Sequence, residues 1–255
     1  MISAIALVDL DDSLFQTLRK CPAHLSADEL TLMAVDRDGA PLSFASPEQA
    51  GFLSWLQKSA LVIPVTGRSV DALQRVRLNT DLAIAAHGGV ILRGQAPCDI
   101  WHGRIAAEAE GCLPDLERIA ANLTAMGANL QHAVRVRIIA ESGLPLYVVA
   151  KHGSTDGNDS ELHLVAARIA DAIPKGWTTH VNGNNVAYLP PHLGKDQAVG
   201  SLLPELREAY PGVPILGLGD STTDAPFLQM CDFAMIPSRS QLANLLWQSE
   251  PGIVT

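Results

Sequence analysis

Crosslinks and metal staples are scarce in this chain. Its four cysteines, Cys21, Cys98, Cys112 and Cys231, lie far apart with no C-x-x-C, which argues against a zinc site or a disulfide framework and for reduced, buried thiols. Cations are also in short supply: 18 Lys plus Arg stand against 27 Asp plus Glu, a formal net charge of -9, and aromatic residues make up 5%. With no basic cluster interleaved with aromatics, nonspecific nucleic-acid binding is disfavoured, and an anionic substrate would have to meet a local cation. No apolar run approaches the ~18 residues of a bilayer span, and the N-terminus lacks the basic flank and small-residue cleavage site of a secretory leader, so no membrane association and a cytoplasmic location are expected. What is present is 255 residues, 47% of them hydrophobic, enough for one large domain or two modest ones with real cores.

The pattern along the chain begins with a continuous apolar run at residues 2–8, of the kind buried on both faces of a parallel sheet. Residues 31–45 read as a hairpin around Asp38-Gly39. A helix then opens with Ser46 as N-cap, Pro47 at its first position and Gln49 closing a capping box, with Phe52, Leu53 and Leu56 at helical spacing. A second strand, A-L-V-I-P-V, ends at Thr66-Gly67-Arg68. Ser69 caps a further helix through Leu73 and Val76, and Leu82 to Ala86 forms a third strand before His87-Gly88-Gly89. This β-α-β-α-β alternation predicts an α/β fold with a doubly wound, Rossmann-like parallel sheet. From about residue 95 the texture changes. Helical spacing over 104–126 precedes two strand-like runs joined at Ser142-Gly143. A Gly/Asn/Asp/Ser loop at 153–160 leads to a helix bearing Leu162, Val165, Ala166 and Ile169, then to a hairpin turning at 182–185. The expectation is an α+β unit, residues 95–187, inserted into a core made of 1–94 and 188–255. After Pro190-Pro191 the buried alternation returns, with a helix opened by Lys195 and a strand ending at Asp220.

Chemistry enters with V-D-L-D-D-S-L, residues 8–14, where a buried strand runs straight into Asp9, Asp11 and Asp12. Neighbouring carboxylates raise one another's cost of ionisation, so something must offset it. A solvated turn is one reading, and a bound cation or a shared proton-transfer task is another. Ligands of a doubly wound sheet sit outside the carboxyl ends of its strands. Such places, or a nearby helix start, hold Asp9/Asp11, Thr66, Lys195 and Asp220/Asp224. Singly, each has an ordinary structural explanation as a turn, a solvated lysine or a helix cap; the set of four is much harder to obtain by chance.

In this order the four motifs, D-L-D-D-S, V-T-G-R, G-K and G-D-S-T-T-D, resemble those of the haloacid dehalogenase superfamily in its phosphatase branch. The place of the insert resembles the larger α/β cap of the sugar-phosphatase-like subgroup. Asp12 stands where many relatives have Gly, and Asp tolerates unusual backbone angles better than most residues. The resemblance implies a phosphomonoester hydrolase acting on a small phosphorylated metabolite, a sugar phosphate by subgroup. Asp9 would be the nucleophile that forms an aspartyl-phosphate, and Asp11 the acid and then the base. Mg²⁺ would be held by Asp9, the Asp11 carbonyl and Asp220, with Asp224 in support. Thr66 and the Gly67 amide would hold phosphate oxygens, and Lys195 would neutralise charge. Arg68, Arg19 and Lys20 can touch the substrate or simply be solvated, and His87 can serve the site or the fold. Lys151, His152, Asn182 and Asn185, near strand ends of the insert, suit sugar hydroxyls but equally suit turns. The resemblance leaves open a phosphomutase, which returns the phosphoryl group, and a non-catalytic phosphometabolite-binding protein. A halide-releasing dehalogenase would not need Asp11 or Asp220, and G-L-G-D-S-T lacks the third Gly of a dinucleotide fingerprint. A monomer or a homodimer is compatible with all of this.

Overall fold

The computed structural model describes residues 2–153 and 159–248; most of the loop expected at 153–160 lies outside the described residues. The chain divides into two compact units, Met1–Cys98 with Lys195–Thr255, and Asp99–Gly194. The first unit opens with β1 (Ala4–Val8), in which Ile5 to Val8 have no solvent exposure. After the acidic loop, β2 (Gln16–Thr17), β3 (Thr31–Val35) and β4 (Pro41–Ala45) form a small antiparallel sheet in the order β2-β4-β3. The β3–β4 turn is the one the sequence signals. Gly39 takes φ +83°, and the Asp36 carboxylate accepts from the amides of Asp38 and Ala40. Helix α1 (Pro47–Ser59) begins with the expected reciprocal cap, Ser46 accepting from the Gln49 amide and the Gln49 side chain accepting from the Ser46 amide.

Next come β5 (Ala60–Pro64), α2 (Val70–Gln74), β6 (Leu82–Ala85), β7 (Val90–Arg93) and β8 (Ala96–Pro97). Helix α2 is shorter than expected, because Val76 leaves it to bridge Ala34 of β3. The second unit contains α3 (Asp99–Asn129), β9 (Val134–Glu141), β10 (Leu144–His152), α4 (Asp159–Arg168), β11 (Thr178–Val181) and β12 (Val186–Leu189). The chain returns to the first unit with α5 (Lys195–Ala209), β13 (Ile215–Leu218), α6 (Ala225–Leu228), β14 (Phe233–Met235) and α7 (Gln241–Gln248).

In the first unit a parallel sheet runs β14-β13-β1-β5. A parallel bridge from Val65 to Ile84 carries it on toward β6, which pairs antiparallel with β7. In the insert the sheet is antiparallel, β11-β12-β10-β9. Its hairpin at Ser142-Gly143 has φ of +49° and +82°, the left-handed pair that a two-residue turn requires to match strand twist. One face of this sheet gives Val148, Ala150, Val186 and Tyr188 to a core shared with Leu116, Ile119 and Leu123 of α3 and Leu162 and Val165 of α4. The units divide at 98/99 and 194/195; a boundary at 187/188 would cut through β12, which pairs with β11 and β10. The four thiols are free, and each is partly exposed rather than buried as expected. Among the described residues no helix is long and apolar enough to cross a membrane.

Candidate active site

Parallel register brings the motif residues of the first unit to one edge. Val8 lies opposite Pro64 on one side and Leu218 on the other, so Asp9, Thr66 and Asp220 follow their strands out of the sheet at the same end. Lys195, the first residue of α5, is only 6% exposed, and its Nζ donates to Asp9 Oδ1 and to Asp224 Oδ1, each at 2.6 Å. Asp224 is wholly buried. Its other oxygen accepts from the amides of Asp220 (3.1 Å) and Ser221 (2.9 Å) and from the Ser221 hydroxyl (2.8 Å). A Cβ at Gly219 would fall 2.5 Å from that of Asp224, so the glycine of G-D-S-T-T-D is what lets this carboxylate approach.

Three buried carboxylates, Asp9, Asp220 and Asp224, thus share one buried lysine. Asp224 is held below the usual carboxylate range: burial opposes this, but the Lys195 charge and the hydrogen bonds from Lys195 and Ser221 outweigh it. Asp9 is pushed up to about 7, first by burial and then by Asp224 and Asp11, against the pull of Lys195. Asp220 is pushed up to about 8 by burial, Asp9, Asp224 and Asp12. Lys195 keeps its proton, since Asp9 and Asp224 raise its pKa in spite of burial. The cluster is therefore short of positive charge. Oxygens of Asp9, Asp220 and Asp224 lie within 4.8 Å of one another, an all-oxygen donor set that fits a hard divalent cation. Both oxygens of Asp224 are already engaged, which leaves Asp9 and Asp220 with capacity for a metal.

The loop after Asp9 turns sharply. Asp12 has φ +62°, as its position in place of a glycine anticipates, and the Leu14 amide donates to Leu10 O at 2.9 Å. This turn presents Asp11 to Arg68, whose Nε and Nη2 donate to the two Asp11 oxygens at 2.7 Å each. Thr66 has no exposure, and its Oγ1 accepts from the Arg68 amide at 3.1 Å. A Cβ at Gly67 would lie 2.4 Å from His87 Cε1. The imidazole of His87, itself buried and at φ +55°, packs directly on the glycine of T-G-R. Lys20 pairs with Asp12 at 2.5 Å, and Arg19 precedes it on a short 3-10 turn.

No protein-family model and no curated protein matches this chain. Solved structures do. The sucrose-phosphatase from Synechocystis sp. PCC6803, solved with sucrose and phosphate, is 15% identical, with a TM-score of 0.57 over 100% of this chain and 90% of that one. A trehalose-6-phosphate phosphatase related protein is 18% identical, with a TM-score of 0.52 over 91% and 86%. The N-terminally truncated Plasmodium falciparum IMP-nucleotidase is 10% identical, with a TM-score of 0.56 over 92% and 66%. The chain shares the fold of these three proteins. The parallel sheet of the first unit accounts for why D-L-D-D-S, T-G-R, G-K and G-D-S-T-T-D, scattered over more than 200 residues of chain, come to one sheet edge.

Within the inserted unit, strand alternation separates two of the predicted residues. Lys151 and His152 point to opposite faces of β10. His152 is buried on the helix-bearing face, where its Nε2 and the Nδ1 of His132 both meet Glu161 Oε2, at 2.9 and 3.2 Å, while its amide donates to the Asn184 side chain. Lys151 is exposed, opposite Arg135 of β9. Asn182 donates its amide to Asn185 O at 2.9 Å and closes the β11–β12 turn. Three serines were not among the predicted site residues. Ser221 braces Asp224 from inside the acidic motif. Ser43 of β4 is wholly buried and accepts from Arg68 Nη2 at 3.1 Å. The Oγ of Ser13, the serine of D-L-D-D-S, is buried without a hydrogen-bond partner among the described residues. For Ser43 the one available signal was a polar residue inside an otherwise apolar hairpin strand.

Proposed function

We propose that this chain is a Mg²⁺-dependent phosphomonoester hydrolase that works through a phosphorylated Asp9. The observation carrying this reading is the cluster of three buried carboxylates around one buried lysine, in which burial and the neighbouring carboxylates push Asp9 and Asp220 toward neutral pH. The sucrose-phosphatase and IMP-nucleotidase among the structural neighbours support phosphate-ester chemistry on such a core. In this mechanism Asp9 attacks phosphorus while Asp11 gives its proton to the departing alcohol oxygen. Asp11 then takes a proton from water, and the resulting attack releases phosphate and restores Asp9. Splitting one difficult displacement into two is the gain. Asp9 and Asp220, with the Asp11 carbonyl, would hold Mg²⁺, and Asp224 would keep Lys195 and the 219–221 backbone in place. When bound, the metal supplies neutralisation of the phosphate dianion among these carboxylates. Thr66 and the Gly67 amide hold phosphate oxygens, and Lys195 neutralises charge beside Asp9.

The inserted unit, in the same reading, selects the leaving group, a small polar metabolite of sugar-phosphate kind, with Lys151, Asn182 and Asn185 as the side chains suited to it. The deciding experiment is a panel of phosphate esters assayed for released phosphate with Mg²⁺ and with excess chelator. Release that needs the metal is expected. Undiminished release in chelator sinks the site as drawn, and transfer of the phosphoryl group back to the substrate without release would identify a mutase.

A further inference from the structure

We propose that Arg68 is the positioning residue for Asp11, acting on the substrate through that carboxylate rather than as a ligand of phosphate. The inference rests on the reading of Asp11 as the proton donor and acceptor. Asp11 sits in a one-turn loop with its side chain 37% exposed, so nothing in its own burial fixes the rotation of the carboxylate. The Arg68 fork does. Two parallel contacts, Nε to Oδ2 and Nη2 to Oδ1 at 2.7 Å each, define both the distance and the plane of the group, which a single-point donor such as a lysine ammonium does not.

Arg68 is itself held from several directions. Its guanidinium lies 5.1 Å from the centroid of the fully buried Phe15 ring, and its Nη2 also donates to the buried Ser43 hydroxyl of β4. Its amide donates to Thr66 Oγ1, and its carbonyl accepts from the Ala86 amide at 2.6 Å. The side chain is 12% exposed. One arginine thus ties the D-L-D-D-S loop, the T-G-R loop and the β3–β4 hairpin to a single carboxylate. This gives the hairpin, which carries none of the four motifs, a reason to be built against the site. A group that must meet the leaving oxygen needs this kind of support, since a displacement near 1 Å costs on the order of 100-fold in rate.

The test is a double-mutant cycle of Arg68→Ala and Asp11→Asn, with Arg68→Lys as the conservative variant, measured in the Mg²⁺-loaded protein on an alkyl phosphate and on a nitrophenyl phosphate. The nitrophenyl ester needs little protonation of its leaving group. For Arg68→Ala the expected result is a fall in kcat of about 10- to 100-fold on the alkyl ester, a smaller fall on the nitrophenyl ester and little change in KM. Arg68→Lys should recover little of it. In the Asp11→Asn background, Arg68→Ala should cost less than about twofold more, because two residues that act as one unit are not additive. Full multiplication of the two losses, or a rise in KM with kcat preserved, overturns the assignment. If Arg68→Ala does not fold, Arg68→Lys carries the cycle, and recovery of wild-type kcat by it would likewise overturn the proposal. Absence of phosphate release from any ester by the unmodified protein would overturn the hydrolase reading itself, a result plainly distinct from additivity in an active enzyme.

Discussion

The first unit buries Asp9, Thr66, Lys195, Asp220 and Asp224, whereas the insert closes around Leu116, Ile119, Leu123, Val148, Leu162 and Val165, with His152 as its one buried polar residue among those described. Polar groups taken out of water cost free energy unless they are paired, and charges cost far more. A unit that keeps an unbalanced charge cluster in its interior does so against folding stability, and the cluster therefore points to chemistry. A unit whose interior is largely hydrophobic reveals how it folds and little about what it reads. Breaking each interior in turn should therefore give different kinds of damage.

The largest effect belongs to Asp9→Asn, which removes the proposed nucleophile and a metal ligand at almost constant volume. Phosphate release should fall by at least about 10⁴-fold while circular dichroism and the thermal midpoint stay near those of the unmodified protein. Turnover close to normal would move the nucleophile elsewhere. Next is Lys195→Met, which strands two buried carboxylates and should cost about 3–5 kcal/mol in urea unfolding. Its deficit should widen from pH 5 to pH 8, since Asp9 without its lysine must either keep a proton or bury a bare charge. Leu123→Ala, the counterpart in the insert, should cost about 2–5 kcal/mol through transfer and cavity terms alone, with no such pH dependence. A pH-independent Lys195→Met would erase the contrast between the two interiors.

A smaller effect follows from Asp9 and Asp220 in the metal-free protein. Burial and neighbouring carboxylates raise both above the ordinary carboxylate range, to about 7 and about 8, so between pH 4 and 8 these two groups bind more protons in the folded chain than in the unfolded one. By linkage, stability without metal falls as pH rises through that window. Mg²⁺ bound by these carboxylates should therefore stabilise more at pH 8 than at pH 5, by about 1–3 kcal/mol at ten to a hundred times its dissociation constant. Thermal melts with Mg²⁺ and with chelator at the two pH values measure it, and an equal increment at both would remove the metal from this cluster.

How much of this could be read in advance follows the same division. The parallel core was legible because its strands are continuous apolar runs and its motif residues stand at their ends, where topology collects ligands. The Ser46–Gln49 cap and the left-handed Asp12 were legible because local stereochemistry decides them. Helix α2 ended early and β7 and β8 went unseen because tertiary pairing, Val76 to Ala34 and Val90–Arg93 to β6, overrode local pattern. The grip of Arg68 on Asp11, 57 residues away in sequence, has no local signature at all; long-range ion pairs appear only once the fold has set their distance. Ser43 was missed for the same reason, since what matters in it is a partner, Arg68, brought by another element.

The smallest expected effect is also the one that tests the insert on its own terms. Lys151 and His152 are neighbours in sequence with opposite fates: His152 faces the helices and shares Glu161 with His132, while Lys151 faces the other way, exposed and opposite Arg135. A role in substrate selection can therefore belong to the first and not to the second. Replacing His152 with Ala removes a buried ring and its contact with the half-exposed Glu161 and should lower stability by about 1–3 kcal/mol, without changing KM for the best ester found in the panel. Lys151→Ala should leave the thermal midpoint nearly unchanged and raise that KM by about two- to fivefold, the scale of one exposed charge contact. On a nitrophenyl phosphate, which offers nothing for the insert to read, the same variant should be silent. The reverse pattern, with His152 altering KM and Lys151 altering only stability, would place the selective surface on the helix-bearing side of the sheet.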